Sequence, residues 1–385
     1  MNEEFEIVVT TLLGVEAFVA REIKRLGYGN VKTEDGRVTF WGDMTAVARA
    51  NMWIRTGERV LIKVGEFYAE TFDELFENVK ALEWERWLTR ESAFPVKGYT
   101  LKSQLASERD CCSIIKKAIV DRLSQKYGIE WFEESGALYK VQFSLMKNKA
   151  VLMIDTSGDS LHKRGYRQIS NAAPLRETIA AAMTMLSYWK FEYPLADPFC
   201  GSGTIPIEAV MFKKNIAPGR MRSFAYESFY QADNLIKKNA VTEAEDSVRD
   251  IPLEIYASDI DGESVKIAEQ NIEKAGLSNY IAPRILDAVD FKCNKPCGTI
   301  ITNPPYGERM GSREECEKLY GRFGEMFGGL EDWSCYILTS DANFETHFGR
   351  NAAKKRKIYN GMIKCNIYQY FKNIKRNQKR TLKND

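Results

Sequence analysis

Residues 195–210 read LADPFCGSGTIPIEAV. A short apolar run ends in an acid, Asp197, then turns through two glycines into a stretch with helical spacing. Gly201 and Gly203 let the backbone turn tightly and approach a ligand with no Cβ in the way. The helix that follows would aim its first amides at negative charge. Three ligands compete for such a turn. A nucleotide P-loop needs a lysine after its last glycine, and none is present. A dinucleotide fingerprint needs a third glycine where Pro206 stands. A cofactor without a phosphate to cradle, such as S-adenosylmethionine, leaves room for an acid, because Asp197 can face a cationic amino-acid end.

Around this stretch, from about residue 191 onward, apolar runs alternate with helical patterns. That alternation predicts an α/β domain with a mostly parallel sheet and helices on both faces. In such sheets ligands lie beyond the carboxyl ends of the strands. Asp259 ends the strand YASD and can accept from two ribose hydroxyls. Asp261 is placed to cap the next helix near Glu263. Asp287 ends PRILD and can accept from an adenine amino group. The run TIITNPPYGERM, residues 299–310, then stops a strand with an amide and two prolines. An exocyclic base amine shares its lone pair with the ring, and acceptors placed at its hydrogens draw it towards tetrahedral geometry. Asn303 and the Pro304 carbonyl supply two acceptors. The prolines stiffen the turn and offer no competing donor. Tyr306 offers a face for a planar base.

The chain has 385 residues, too many for one ordinary core. Residues 1–156 follow an α+β pattern of small sheets with helices to one side. A turn-rich connector, SGDSLHKRGYRQISNAAP, follows. In it His162 reads as a loop residue, while Lys163, Arg164 and Arg167 are candidates for RNA phosphate or the substrate base. Pro174 precedes a strong helix. Cys200, with no histidine nearby in sequence, reads as loop packing.

The 55 basic and 53 acidic residues nearly balance. The stretch from Lys372 to Lys383 is the exception, with six basic residues and no acid, the pattern of a phosphate-binding arm. Eight cysteines without a framework fit a reducing cytoplasm. With only His162 and His347, a metal site is not expected. Neither a membrane-length apolar run nor a secretory pattern at the start is present.

With DPFCGSGT, SDID, LDAVD and NPPYGER in order, the chain resembles the THUMP-domain class I RNA methyltransferases. LHKRGYR, APLRETIAAAM and KRKIYNGMIKCNIYQY extend the resemblance over nearly the whole length. It implies four segments: a ferredoxin-like segment (1–64), a THUMP RNA-binding domain (65–160), a linker and helix (161–190) and a Rossmann-like S-adenosylmethionine domain (191–385). It also implies that Asp197, Phe199, Gly201, Gly203 and Thr204 cradle the methionine part, that Asp259 takes the ribose and Asp287 the adenine, and that Asn303, Pro304 and Tyr306 hold the target amine. The chain also resembles the guanine-N2-methylating half of the bacterial 23S rRNA enzyme. That enzyme's second methylase domain has no counterpart in these residues, so a second methylation is not expected. Methylation of tRNA guanine or of adenine N6 remains open on the motif alone, as does a non-catalytic RNA-binding factor. A monomer is compatible with the sequence.

Overall fold

The computed structural model describes residues 3–167, 175–306, 313–360 and 363–371. Pro174, Gly307 to Arg309 and the basic tail from Lys372 lie outside them. The chain divides into two compact units, 1–11 with 19–161 and 222–244, and 12–18 with 162–221 and 245–385.

The first unit is built on β1 (Phe5–Thr11), α1 (Glu16–Arg25), β2 (Lys32–Glu34), β3 (Arg37–Gly42), α2 (Met44–Trp53) and β4 (Gly57–Tyr68). There follow α3 (Phe72–Ala81), β5 (Val96–Leu101), α4 (Glu108–Tyr127), β6 (Val141–Met146) and β7 (Lys149–Asp155). The seven strands form one sheet in the order β2-β3-β1-β4-β7-β6-β5. Every pair is antiparallel except β5 with β6. Local chemistry starts and stops the helices. Asp43 accepts from the Ala46 amide to cap α2, and Thr71 and Glu74 form a capping box on α3. Gly128 ends α4 in a left-handed conformation. Strand β2 has little in the sequence to mark it. Its three residues, KTE, carry no apolar alternation and owe their conformation to pairing with β3.

The second unit opens with α5 (Glu177–Ser187), β8 (Leu195–Asp197) and α6 (Thr204–Lys213). Helix α7 (Asn234–Asp246) then lies mainly in the 222–244 segment of the first unit. The second unit resumes with β9 (Ile255–Asp259), α8 (Gly262–Lys274), β10 (Arg284–Ile285), β11 (Gly298–Thr302) and α9 (Arg313–Gly328). It ends with β12 (Trp333–Thr339), α10 (Phe344–Phe348) and the hairpin β13 (Lys354–Asn360) and β14 (Ile363–Tyr370). Its sheet order is β10-β9-β8-β11-β12-β14-β13. The first five strands run parallel and the hairpin antiparallel.

Burial on both faces explains the continuous apolar strands. Ile301, Tyr336 and Leu338 pack into a core with Ile179 of α5 and Ile205 and Ala209 of α6. Their neighbours Ile300, Cys335 and Ile337 pack the other way, with Tyr320 and Phe323 of α9 and Phe344 of α10. Strand order reverses between β8 and β11, the switch point at which a parallel sheet opens a crevice beyond its carboxyl ends. Asp197 ends one of those strands, and Asn303 directly follows the other.

Candidate functional site

At the end of β8 the chain cannot continue as a strand, because Gly201 and Gly203 take φ of 50° and 81°. A Cβ on Gly203 would also come within 3.3 Å of the Ala268 Cβ. Gly203 is the residue before α6, so Thr204 is the first helical residue and the turn faces the helix N-terminus. Asp259 holds this turn from the next strand. Its Oδ2 accepts the Gly201 amide at 2.9 Å and its Oδ1 the Asp261 amide at 3.0 Å. Asp261 caps α8 as expected, accepting from Glu263 and Ser264. Burial raises the Asp259 carboxyl above its ordinary range.

Asp197 lies deeper. Its Oδ1 accepts the Thr302 hydroxyl at 2.7 Å and the Phe199 amide at 3.3 Å. Its Oδ2 is buried with no hydrogen-bond partner among the described residues. Burial, which outweighs those two hydrogen bonds, pushes this carboxyl up to about 7. Thr302 was not among the residues singled out in the sequence. Its signal was a hydroxyl closing a strand that is buried throughout. It joins the acid of β8 to the residue before Asn303.

Asn303 is half-buried, and its Oδ1 accepts from the Tyr306 hydroxyl. Pro304 is buried, and no described residue donates to its carbonyl. The Pro305 carbonyl accepts from Tyr320 of α9 at 2.5 Å. Tyr320 is 1 % exposed and packs edge-on against Phe344 at 5.0 Å. The turn is therefore held by two tyrosine hydroxyls, one from inside it and one from behind. The Tyr306 ring is half-buried and packs against the core of α5 and α6.

Asp287 does not end a long strand, because β10 covers only two residues. It begins a single helical turn instead, accepting the Val289 amide at 3.2 Å, with the Arg322 guanidinium 3.6 Å away. Phe199 is half-buried, with its ring edge-on to Phe323 at 5.2 Å. Two further residues stand out on this rim. Ile260, directly after Asp259, and Ile285, two before Asp287, are each 67 % exposed. Their signal was an isoleucine beside a strand-end acid, where turn residues are the rule.

The connector departs from its expected role. Arg164 is 2 % exposed and sits 3.2 Å from Glu208 of α6, whose Oε1 also accepts from buried Tyr166. Arg167 donates to the Leu175 carbonyl at 2.8 Å and to the Thr204 hydroxyl at 2.7 Å, beside Glu177 at 3.3 Å. Neither guanidinium is presented to a polyanion. Both fasten the connector to the start of α5 and to α6. Lys163 is exposed. Cys200 is buried among Val210, Ala268 and Ile272, a packing residue as expected.

These residues suit a cofactor with an amino-acid end and a ribose. The buried, unpartnered oxygen of Asp197 calls for a cation or donor. Gly203, with no Cβ, lets the turn pack closely on Ala268 of α8, and Asp259 is the last residue of β9. Residues 164–369 match the family described as RMKL-like, methyltransferase domain. Residues 6–61 match the RlmL ferredoxin-like domain and residues 69–155 the THUMP domain. YpsC of Bacillus subtilis (strain 168), which carries the name of an RNA methyltransferase, is 45% identical over 98% of this chain and 99% of its own. The ribosomal RNA large subunit methyltransferase K/L of Shewanella baltica (strain OS155 / ATCC BAA-1091) is 33% identical over 94% of this chain. The match covers 53% of that enzyme, so the chain spans about half its length. Among solved structures, a Listeria monocytogenes (str. 4b F2365) protein named for N6-adenine-specific DNA methylation has a TM-score of 0.92 and 45% identity, covering 96% of this chain and 97% of its own. SMU.472, described as a methyltransferase and complexed with SAH, has a TM-score of 0.92 and 42% identity, covering 97% of this chain and 99% of its own.

Proposed function

The chain belongs to the RMKL-like methyltransferase family, with its ferredoxin-like and THUMP domains, and from that we propose that it methylates guanine N2 in 23S ribosomal RNA. The cofactor is S-adenosylmethionine, which supplies an electrophilic methyl group on a sulfonium. Asp197 faces the cationic amino-acid end, and the turn from Phe199 to Thr204 closes round it. Asp259 accepts from the ribose and Asp287 from the adenine amino group. Ile260 and Ile285 give the adenine ring apolar faces. The observation that carries the reading is the strand-end turn. Asn303 Oδ1 and the Pro304 carbonyl are acceptors that take the two hydrogens of an exocyclic amine and orient its lone pair. Asn303 Oδ1 keeps a second lone pair while it accepts from Tyr306. No residue of the turn has to titrate, because the amine attacks first and sheds its proton to solvent afterwards. Alignment then supplies much of the rate, with effective molarities of roughly 10⁵ M or more in well-oriented systems. A base inside a duplex cannot reach such a turn, so the target leaves its stack.

The segments are taken as 1–64 ferredoxin-like, 65–160 THUMP, 161–190 linker and helix, and 191–385 methyltransferase, with the front half gripping RNA in the cytoplasm. The turn fits any planar-base amine, so tRNA guanine and adenine N6 are the competing substrates. A relative named for adenine N6 keeps that second reading in view. Tritium transfer from labelled S-adenosylmethionine into 23S rRNA, tRNA and DNA, followed by nucleoside mass spectrometry, separates them. N2-methylguanosine in 23S rRNA is expected. Label confined to tRNA, DNA or adenine overturns the reading. Cofactor bound with no label in any pool turns it into an RNA-binding factor.

A further inference from the structure

The hairpin β13–β14 closes the second sheet at its far edge. In register, Thr302 at the end of β11 stands opposite Ile337 of β12. Two residues further on, Thr339 ends β12 opposite Asn366 of β14. Lys364 therefore rises two more residues beyond the carboxyl ends, about 7 Å past Asn366 at a strand's rise. It pairs across the hairpin with Tyr359, and Lys357 is opposite Asn366. The upper end of the hairpin, residues 357–360 and 363–366, thus stands on the same rim as the Asn303–Tyr306 turn, two to three strand spacings of about 4.8 Å away.

Lys357, Tyr359 and Lys364 share one face of the hairpin. Both lysines are exposed, and neither is ion-paired with a carboxylate among the described residues. The Lys357 ammonium lies 5.1 Å from the Tyr359 ring centroid. The two cations hold the Tyr359 hydroxyl below its ordinary pKa, Lys357 foremost through a hydrogen bond. Two other basic residues of this strand behave differently. Lys355 is neutralised by Glu345. Arg356 turns inward, donating to the Gly14 carbonyl and covering the Phe18 ring at 4.6 Å. An edge strand needs some charge to prevent stray pairing, and Lys354 meets that need. It gives no reason for two uncompensated cations to converge on an aromatic ring at the catalytic rim.

We propose that Lys357, Tyr359 and Lys364 form a contact site for the RNA strand beside the target nucleotide, the lysines on phosphates and the tyrosine on a neighbouring base. This rests on the reading of the Asn303–Tyr306 turn as the methyl-transfer site. A flipped target needs its flanking backbone held, and a cation pair with one ring suits a single strand of any sequence.

The test uses the full chain with transcribed 23S rRNA and labelled S-adenosylmethionine. In Lys357→Ala/Lys364→Ala the KM for RNA is expected to rise about tenfold. The slope of log affinity against log salt falls by roughly one to two units. Calorimetric cofactor affinity stays unchanged, and Lys357→Arg/Lys364→Arg restores the KM. An unchanged KM and salt slope in the alanine variant, with the wild type active, overturns the contact site and leaves the methylase reading standing. Absence of transfer by the wild type to 23S rRNA and tRNA alike overturns the reading of the turn as an RNA methyl-transfer site, and the contact site with it.

Discussion

Among the described residues two hydrogen bonds reach one oxygen of Asp197, from Thr302 and Phe199, and none reaches the other. The carboxyl titrates near 7, so below that pH it is mostly neutral. The native state then keeps a proton between about pH 4 and 7 that the unfolded chain has lost, so stability falls as pH rises through that window. A cationic ligand reverses the preference. S-adenosylmethionine affinity is therefore expected to rise with pH from 5.5 to 7, by at most about tenfold per unit, and then flatten. Titration calorimetry across that range checks this, with Asp197→Asn giving a flat, weak profile. At the neighbouring turn, Tyr320→Phe removes one hydroxyl and keeps the ring. The Pro305 carbonyl loses its donor, at a cost of about 1–3 kcal/mol. Single-turnover transfer should slow by about tenfold with cofactor affinity unchanged. A variant that loses stability while transferring at the wild-type rate would show that Tyr320 only packs.

The connector and helix α6 meet through the buried pair Arg164–Glu208, with side chains 2% and 0% exposed. Burying both charges takes back most of their attraction, but breaking the pair leaves one charge stranded. Glu208→Leu should therefore destabilise the second unit by about 3–5 kcal/mol, read from its urea midpoint. The double variant Arg164→Met/Glu208→Leu should recover most of that loss. If Arg164 instead served RNA, its replacement would raise the RNA KM at constant stability. The sequence had marked HKRGYR as basic and turn-rich, which is true. It could not reveal that Glu208, forty-four residues later and on the face of an apolar helix, would bring that charge inside.

Across the whole molecule, what could be read from the chain was what depends on local order. The glycine turn, the acids Asp259 and Asp261, the strand ending at Thr302 and the parallel sheet follow from nearest-neighbour chemistry and periodicity. The unread features depend on distant partners. β2 exists through its pairing with β3. Thr302 matters through Asp197, and Tyr320 through Pro305. The exchange of residues 12–18 and 222–244 between units cannot be seen when a chain is divided into contiguous stretches. The turn proposed to hold the amine and the acid proposed to face the cofactor nevertheless meet at one place, the switch point between β8 and β11.

Asn303 is, in the proposed reaction, the acceptor that orients the reacting amine. The direct measurement is single-turnover methyl transfer to 23S rRNA by Asn303→Ala, with S-adenosylmethionine affinity measured in parallel. A loss of about 10²-fold or more in rate at unchanged affinity is predicted, the scale of removing a positioned transition-state group. Transfer at the wild-type rate would contradict it.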